Sequence, residues 1–225
     1  MPYVPSEKTP LSGNIKKYED RIKIEEAVYV LSKKIAQDIT TNDTLIDVYI
    51  NVFSILAEDL NRLNTQQKIN NNGDITKLSQ IIFNVAKKYE YDGAFLGELN
   101  YAVTRLILLV PKIKVQNREW KSALRYWYYA RTVEALIYVS NKSLVYKQGI
   151  AGVFEDIKDE YKWRVNRAYE IYQIKKSGDC YHDAPYHSQP VKVVNKQGKI
   201  IGYMEVHMSK ELYNGHDISG EIVIK

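Results

Sequence analysis

Apolar residues recur at intervals of three and four along the first three quarters of the chain, a spacing typical of amphipathic helices. The pattern predicts about six helices: 15–39, 44–63, 74–89, 96–110, 117–141 and 150–176. Pro111 is expected to end the fourth helix, because its ring removes an N–H donor and clashes with the preceding turn. The predicted buried stripes include Ile22 in the first helix, Ile137 in the fifth, and Val165 and Tyr172 in the sixth.

After Gly178 the apolar period changes to two, which is typical of strands. Residues 191–194 and 199–206 predict a β-hairpin around the turn 195–198, and residues 218–224 predict a further strand. The predicted fold class is therefore mainly α with a small C-terminal antiparallel β-sheet (α+β). The predicted domains are an N-terminal extension (1–14), a helical domain (15–178) and a C-terminal loop with a small β subdomain (179–225).

Composition narrows the class of protein. A chain of 225 residues that is 45% hydrophobic can bury a substantial core, and its formal net charge of +5 favours an anionic partner. A lone cysteine, Cys180, excludes a disulfide-bonded secreted scaffold. Residues 1–8 show no signal-peptide pattern, and the apolar run 106–110 is too short to cross a bilayer. We therefore expect a cytoplasmic protein that does not contact a membrane.

Three stretches resemble a known family. The opening Met1-Pro2-Tyr3, the segment GELNY at 97–101 followed by Thr104, and the stretch 152–181 resemble a family of small, uncharacterised phage and prophage proteins. Trp163, Ala168 and Ser177 depart from the family pattern. The order of helices followed by short strands is also similar to phage sponge proteins that sequester cyclic nucleotides. The resemblance implies a virus-encoded, non-enzymatic protein that acts in the host cytoplasm.

Arginines and aromatic residues alternate on the fifth and sixth predicted helices. A nucleotide site needs a guanidinium for the phosphate and a flat ring for the base. The candidate ligand-binding residues are Asn100, Tyr101, Arg125, Trp127, Tyr128, Arg131, Trp163, Arg164 and Arg167. The alternative is that the rings belong to the core and the arginines pair with neighbouring glutamates. No glycine-rich phosphate loop is present.

Metal binding has weaker candidates, namely Cys180, His182 and His187. Thiolate and imidazole both coordinate zinc, but the spacing matches no established zinc pattern. A hydrogen-bonded loop is the better explanation of these residues, so we predict neither a metal nor another cofactor. Cys180 beside His182 also suggests a nucleophile and a base, although sequence adjacency alone does not make a catalytic dyad.

Three functions remain open on this sequence. The first is a non-enzymatic, homo-oligomeric protein that binds a small anionic ligand such as a cyclic nucleotide and sequesters this immune signal. The second is a phage structural, assembly or host-protein-binding module that uses exposed aromatic residues. The third is a nucleic-acid-binding protein acting through the basic fifth helix, which the small net charge disfavours.

Overall fold

The chain divides into two compact units, Met1–Asn166 and Arg167–Lys225. A computed structural model describes residues 14–41, 44–88, 94–117, 125–177, 186–194, 200–209 and 221–223. Among these residues no helix has the length and apolarity needed to span a bilayer.

The first unit is a bundle of α-helices. They are α1 (Asn14–Asp38), α2 (Thr44–Asn64), α3 (Asp74–Lys87), α4 (Ala94–Gln116), α5 (Arg125–Ser143) and α6 (Ile150–Tyr161). A 3-10 turn, Leu144–Tyr146, separates α5 from α6, and a π-helical segment, Lys162–Asn166, follows α6. The described residues of this unit contain no strand. This unit is all-α, as predicted for the helical domain, but the α+β class predicted for the whole chain is wrong.

The second unit contains α7 (Arg167–Ser177) and three strands, β1 (Tyr186–Val194), β2 (Ile200–Ser209) and β3 (Glu221–Val223). β1 lies between the other two strands; it pairs antiparallel with β2 and parallel with β3. The predicted all-antiparallel sheet is therefore wrong. An apolar period of two is the same for both strand orientations, so the sequence pattern carried no information on the direction of β3.

The core of the bundle is formed where α1 packs against α3 and α4, and α2 against α3 and α5. Its largest fully buried side chains include Tyr49, Phe53 and Phe154. On α1 Ile24 is one of the buried residues, whereas Ile22, predicted to be buried, is 39% exposed. Ile24 lies four residues before the buried Val28 and shares its face of the helix. Ile22 lies six residues before Val28, which places it about 120° around the helix from that face.

Pro111 lies inside α4, which continues to Gln116, so the predicted end of this helix is wrong. A proline at this position cannot donate to the carbonyl oxygen of Ile107, four residues earlier. That oxygen instead accepts a hydrogen bond from the hydroxyl of Tyr128 at 2.7 Å. A buried side chain from α5 thus replaces the missing backbone donor, which removes part of the cost of continuing the helix.

Lys114 lies on the part of α4 beyond Pro111 and is buried. Its ammonium donates to the carbonyl oxygen of Ile39 at 2.7 Å, immediately after α1. A cation near the C-terminal end of a helix is favoured because the unpaired carbonyl groups carry partial negative charge. The end of α1 is therefore held by the last turns of α4.

The observed bounds also differ from those predicted for the fifth and sixth helices. Asn141 does not interrupt α5, which ends at Ser143. The predicted sixth helix is α6, the π-helical segment and α7 in succession. A π segment has more residues per turn than an α-helix, so Val165 no longer shares the buried face of Tyr161. Val165 and, in the second unit, Tyr172 are exposed rather than part of a buried stripe.

Asp59 is a buried carboxyl group at the contact between α2 and α3, only 3% exposed. The Thr76 hydroxyl lies 3.0 Å from its Oδ2 atom and also 3.0 Å from the carbonyl oxygen of Asn70, which ties the loop before α3 to this site. Burial raises the pKa of Asp59, while hydrogen bonds from Thr76 and Ser79 partly oppose the rise. The charged form of Asp59 is therefore disfavoured in the folded chain.

Asp59→Asn should change how the stability of the chain depends on pH. A raised folded pKa stabilises the fold fully below the unfolded value, and this contribution is lost as pH rises through the folded pKa. Above the ordinary aspartate value of 3.8 the native chain should therefore lose stability relative to Asp59→Asn, which keeps an acceptor for Thr76 without a charge. Thermal unfolding of both chains across this range measures the effect. Parallel pH profiles for the two chains would contradict the prediction.

Candidate binding surface on α5

The position of α5 in the bundle decides which of its residues can meet a ligand. Two contacts show which face of α5 meets α6. The rings of Tyr129 and Tyr161 have centroids 5.4 Å apart, and the Ser140 hydroxyl donates to the carbonyl oxygen of Ala151 at 3.0 Å. Residues 128, 132, 135 and 139 of α5 are buried in the core.

A third face of α5 points away from α6. Successive helical residues turn by about 100°, so Trp127 and Arg131 lie about 160° and 200° around α5 from Tyr129. Glu134 and Tyr138 follow at about 140° and 180°, and Ile137 lies at the edge of this face at about 80°. We call Trp127, Arg131, Glu134, Ile137 and Tyr138 the α5 outer face. Tyr138 is 52% exposed and Ile137 is 41% exposed.

Arg131 is the centre of the α5 outer face. Its Nη1 atom donates to Glu134 Oε2 at 3.0 Å, and its guanidinium carbon lies 5.8 Å from the centroid of the Trp127 ring. Trp127 is partly buried and packs against the core. Both charged side chains are partly exposed, and exposed intrahelical ion pairs contribute only about 0.3–0.5 kcal/mol. A partner can therefore replace either member of the pair at little cost.

Trp163 and Arg164 lie on the π-helical segment and are exposed. The Arg164 guanidinium pairs with the carboxylate of Glu160, one turn earlier. The π-helical segment follows directly on Tyr161, which meets α5 at the Tyr129 face. Trp163 and Arg164 thus follow the side of α5 that meets α6, whereas Trp127 and Arg131 lie on the opposite side. Their positions do not support a shared cleft of the kind that the sequence predicted.

Tyr128 is buried, and its hydroxyl is used twice. It donates to the Ile107 carbonyl oxygen. Because a hydroxyl has a single hydrogen, Tyr128 must then accept the hydrogen bond from the Tyr49 hydroxyl. Burial raises the pKa of both tyrosines and of Tyr161, so all three remain neutral phenols. The surroundings of Tyr128 are those of a structural residue.

Asn100 and Tyr101 lie on α4, apart from the α5 outer face. Tyr101 is buried; its hydroxyl donates to the Glu25 carboxylate and accepts from Arg21 Nε at 2.8 Å. Arg105 Nε lies 2.9 Å from the same Glu25 carboxylate. Asn100 Oδ1 accepts from the Thr104 hydroxyl at 3.4 Å. The hydrogen bonds of Tyr101 join α4 to α1, which is a structural role.

The sequence interpretation did not include Arg21, Glu25 or Arg105 in this cluster. Each lies four residues from another member of the cluster, Arg21 from Glu25 and Tyr101 from Arg105, which is the spacing of neighbours on one helix face. That spacing was a visible signal within each helix. The contact between the two helices joins residues 80 positions apart, which no local pattern could indicate.

The structure does not place the remaining predicted site residues beside the α5 outer face or the Tyr101 cluster. Arg125 is the first residue of α5, but its side chain lies outside the described residues. Arg167 begins α7 in the second unit. Cys180, His182 and the His187 side chain also lie outside the described part of the chain. Within the part that is described, no three histidine, cysteine or carboxylate side chains are placed to hold a metal.

Comparisons of the chain with protein-family models, with curated proteins and with solved structures find no match. The resemblance to small phage proteins therefore stays a prediction, as does the cytoplasmic location.

Proposed function

We propose that this chain is a non-enzymatic binding protein that acts by docking another macromolecule on the α5 outer face. The observation that carries the proposal is the spacing of Trp127, Arg131, Glu134 and Tyr138, which places a row of large side chains along one solvent-facing side of α5. Tryptophan, tyrosine and arginine are the residues that most often dominate protein interfaces. This is the assembly or protein-binding function among those that the sequence left open.

Two features of the α5 outer face support a protein partner. The Trp127 indole is held against the core, so little conformational freedom is lost when it is covered. Tyr138 and Ile137 expose apolar surface beside a charged pair, an arrangement of apolar anchors next to polar groups that is common in interfaces.

A small nucleotide ligand is less well supported by the same residues. Arg131 and Arg164 each pair with a glutamate on their own helical segment. Tyr128 and Tyr101, which were candidates for contacting a base, are buried in structural hydrogen bonds. A nucleotide would have to bind at one exposed arginine and one ring instead of in an enclosed site.

A photo-crosslinking residue at position 138 of the full chain tests the proposal. We expect a covalent adduct with a macromolecule when the chain is irradiated in cells. Trp127→Ala should lower the yield of this adduct at least about fivefold, because it removes an anchor side chain from the interface. The matched control places the same residue at Tyr29, which is similarly exposed on α1. Absence of adduct at position 138, or equal adduct at both positions, would rule out docking on this face.

A further inference from the structure

The α5 outer face has an internal symmetry in its residue types. Trp127 and Tyr138 lie equally far from the midpoint between residues 132 and 133, and so do Arg131 and Glu134. When two identical helices pack antiparallel about a two-fold axis, positions equidistant from the axis face each other. The order ring, cation, anion, ring along this face is therefore complementary to itself.

We propose that the partner of the α5 outer face is a second copy of this chain, packed antiparallel with its two-fold axis between residues 132 and 133. Arg131 of each copy then meets Glu134 of the other, and Trp127 of each copy meets Tyr138 of the other. The inference rests on the proposed function, because both use the same face, and adds the identity of the partner.

Charge selects this orientation among the possible self-associations. A parallel pair would place Arg131 against Arg131 and Glu134 against Glu134, which is repulsive. In the antiparallel pair both contacts are between opposite charges. Within one chain Arg131 Nη1 and Glu134 Oε2 are already 3.0 Å apart, so the four groups of a dimer form one alternating cluster. An alternating cluster of partly exposed charges is stronger than an isolated exposed pair.

The exposed cation at the end of α5 does not oppose this arrangement. Lys142 is exposed and lies more than two turns from the proposed axis. In the antiparallel pair the two Lys142 side chains are at opposite ends of the contact, roughly 28 Å apart along the helix. Like charges at that distance are screened at physiological ionic strength.

The length of the contact sets the expected affinity. Residues 127–138 extend about 17 Å along α5, so the contact is smaller than a standard stable interface. We therefore expect a dimer that dissociates in the micromolar range, on the order of 10 μM. Measurements must cover concentrations on both sides of that value.

Charge reversal on α5 gives the decisive experiment. Sedimentation equilibrium of the full chain should show a monomer–dimer equilibrium, and Arg131→Glu or Glu134→Arg should each weaken dimerisation at least about tenfold, because each places like charges across the axis. The double variant R131E/E134R should recover dimerisation to within about threefold, because it restores opposite charges in both contacts.

Arg62 and Glu58 on α2 supply the matched control. Their side chains form a similar intrahelical pair at 2.6 Å, so Arg62→Glu should leave dimerisation unchanged. Circular dichroism confirms that each variant is folded. A monomeric wild-type chain at about 200 μM, twentyfold above the expected constant, or a dimer insensitive to Arg131→Glu, would overturn the inference. If position 138 still crosslinks to a different protein in that case, the proposed function stands and only the second copy is excluded.

Discussion

Replacing Phe53 with alanine is expected to destabilise the chain by about 3–5 kcal/mol, the usual cost of removing a fully buried phenylalanine. Phe53 has no exposed surface. Its ring stacks on Tyr49 with centroids 5.0 Å apart and lies 6.2 Å from the ring of Phe154. The substitution therefore leaves a cavity between α2 and α6 and removes two ring contacts. Urea unfolding followed by circular dichroism measures the loss.

Tyr29→Ala is the control for the Phe53 prediction. Tyr29 is also an aromatic residue on a helix of the bundle, but about half of its surface is exposed. Its removal should cost less than about 1 kcal/mol, as is usual for exposed positions. Similar losses for the two variants would contradict the description of Phe53 as a centre of the core.

Tyr128→Phe is the second variant with a large expected effect, a loss of about 2–4 kcal/mol in the free energy of unfolding, because two buried polar groups each lose a partner. The substitution keeps the ring but leaves the Ile107 carbonyl and the Tyr49 hydroxyl without the partner that Tyr128 supplies. A buried polar group left without a partner costs about 1–3 kcal/mol. The free energy of unfolding in urea gives the size of the effect, and Tyr172→Phe, at an exposed tyrosine, should be nearly neutral.

A double-mutant cycle with Pro111→Ala tests the reason for that loss. Alanine at position 111 supplies a backbone N–H that can donate to the Ile107 carbonyl within α4. Tyr128→Phe should then cost about 1–2 kcal/mol less in the Pro111→Ala background than in the native chain. Equal costs in the two backgrounds would show that the Tyr128 hydroxyl does not compensate for the proline.

The bounds of a helix could be predicted where the apolar spacing and the polar residues at the boundary both marked the same segment. The prediction for α2 is confirmed, since the helix spans Thr44–Asn64 and buries Leu45, Tyr49, Phe53 and Leu56. The Thr44 hydroxyl donates to the Thr41 carbonyl at 2.9 Å, which fixes the chain at the start of the helix. Here the apolar period and the polar residues at the boundary indicated the same segment.

The course of α4 could not be predicted, because it depends on a partner distant in sequence. Pro111 is a local signal for a helix end, and the hydroxyl that satisfies Ile107 comes from the next helix. The break of the last long helix into α6, the π-helical segment and α7 has no local signal that we recognise. Both errors concern backbone hydrogen bonding, which apolar periodicity does not report.

The sequence could predict which residue types form the candidate site, but it could not predict how they are arranged around α5. Trp127 and Arg131 are neighbours, as their spacing of four indicated. Whether Arg164 shares their surroundings depends on which face of α5 meets α6, and this is set by packing of Tyr129 and Ser140. Sequence reasoning could identify rings and cations, but their distribution among the faces of one helix required the neighbouring helices.

The bond from Lys114 to Ile39 links two helix ends that are 75 residues apart in the chain. Because the ammonium is buried, fraying of the last turn of α4 would take this donor from the Ile39 carbonyl, and fraying at the end of α1 would take this acceptor from the Lys114 ammonium. Neither terminus can loosen without a penalty at the other. The two helix ends are therefore expected to open and close as one cooperative unit.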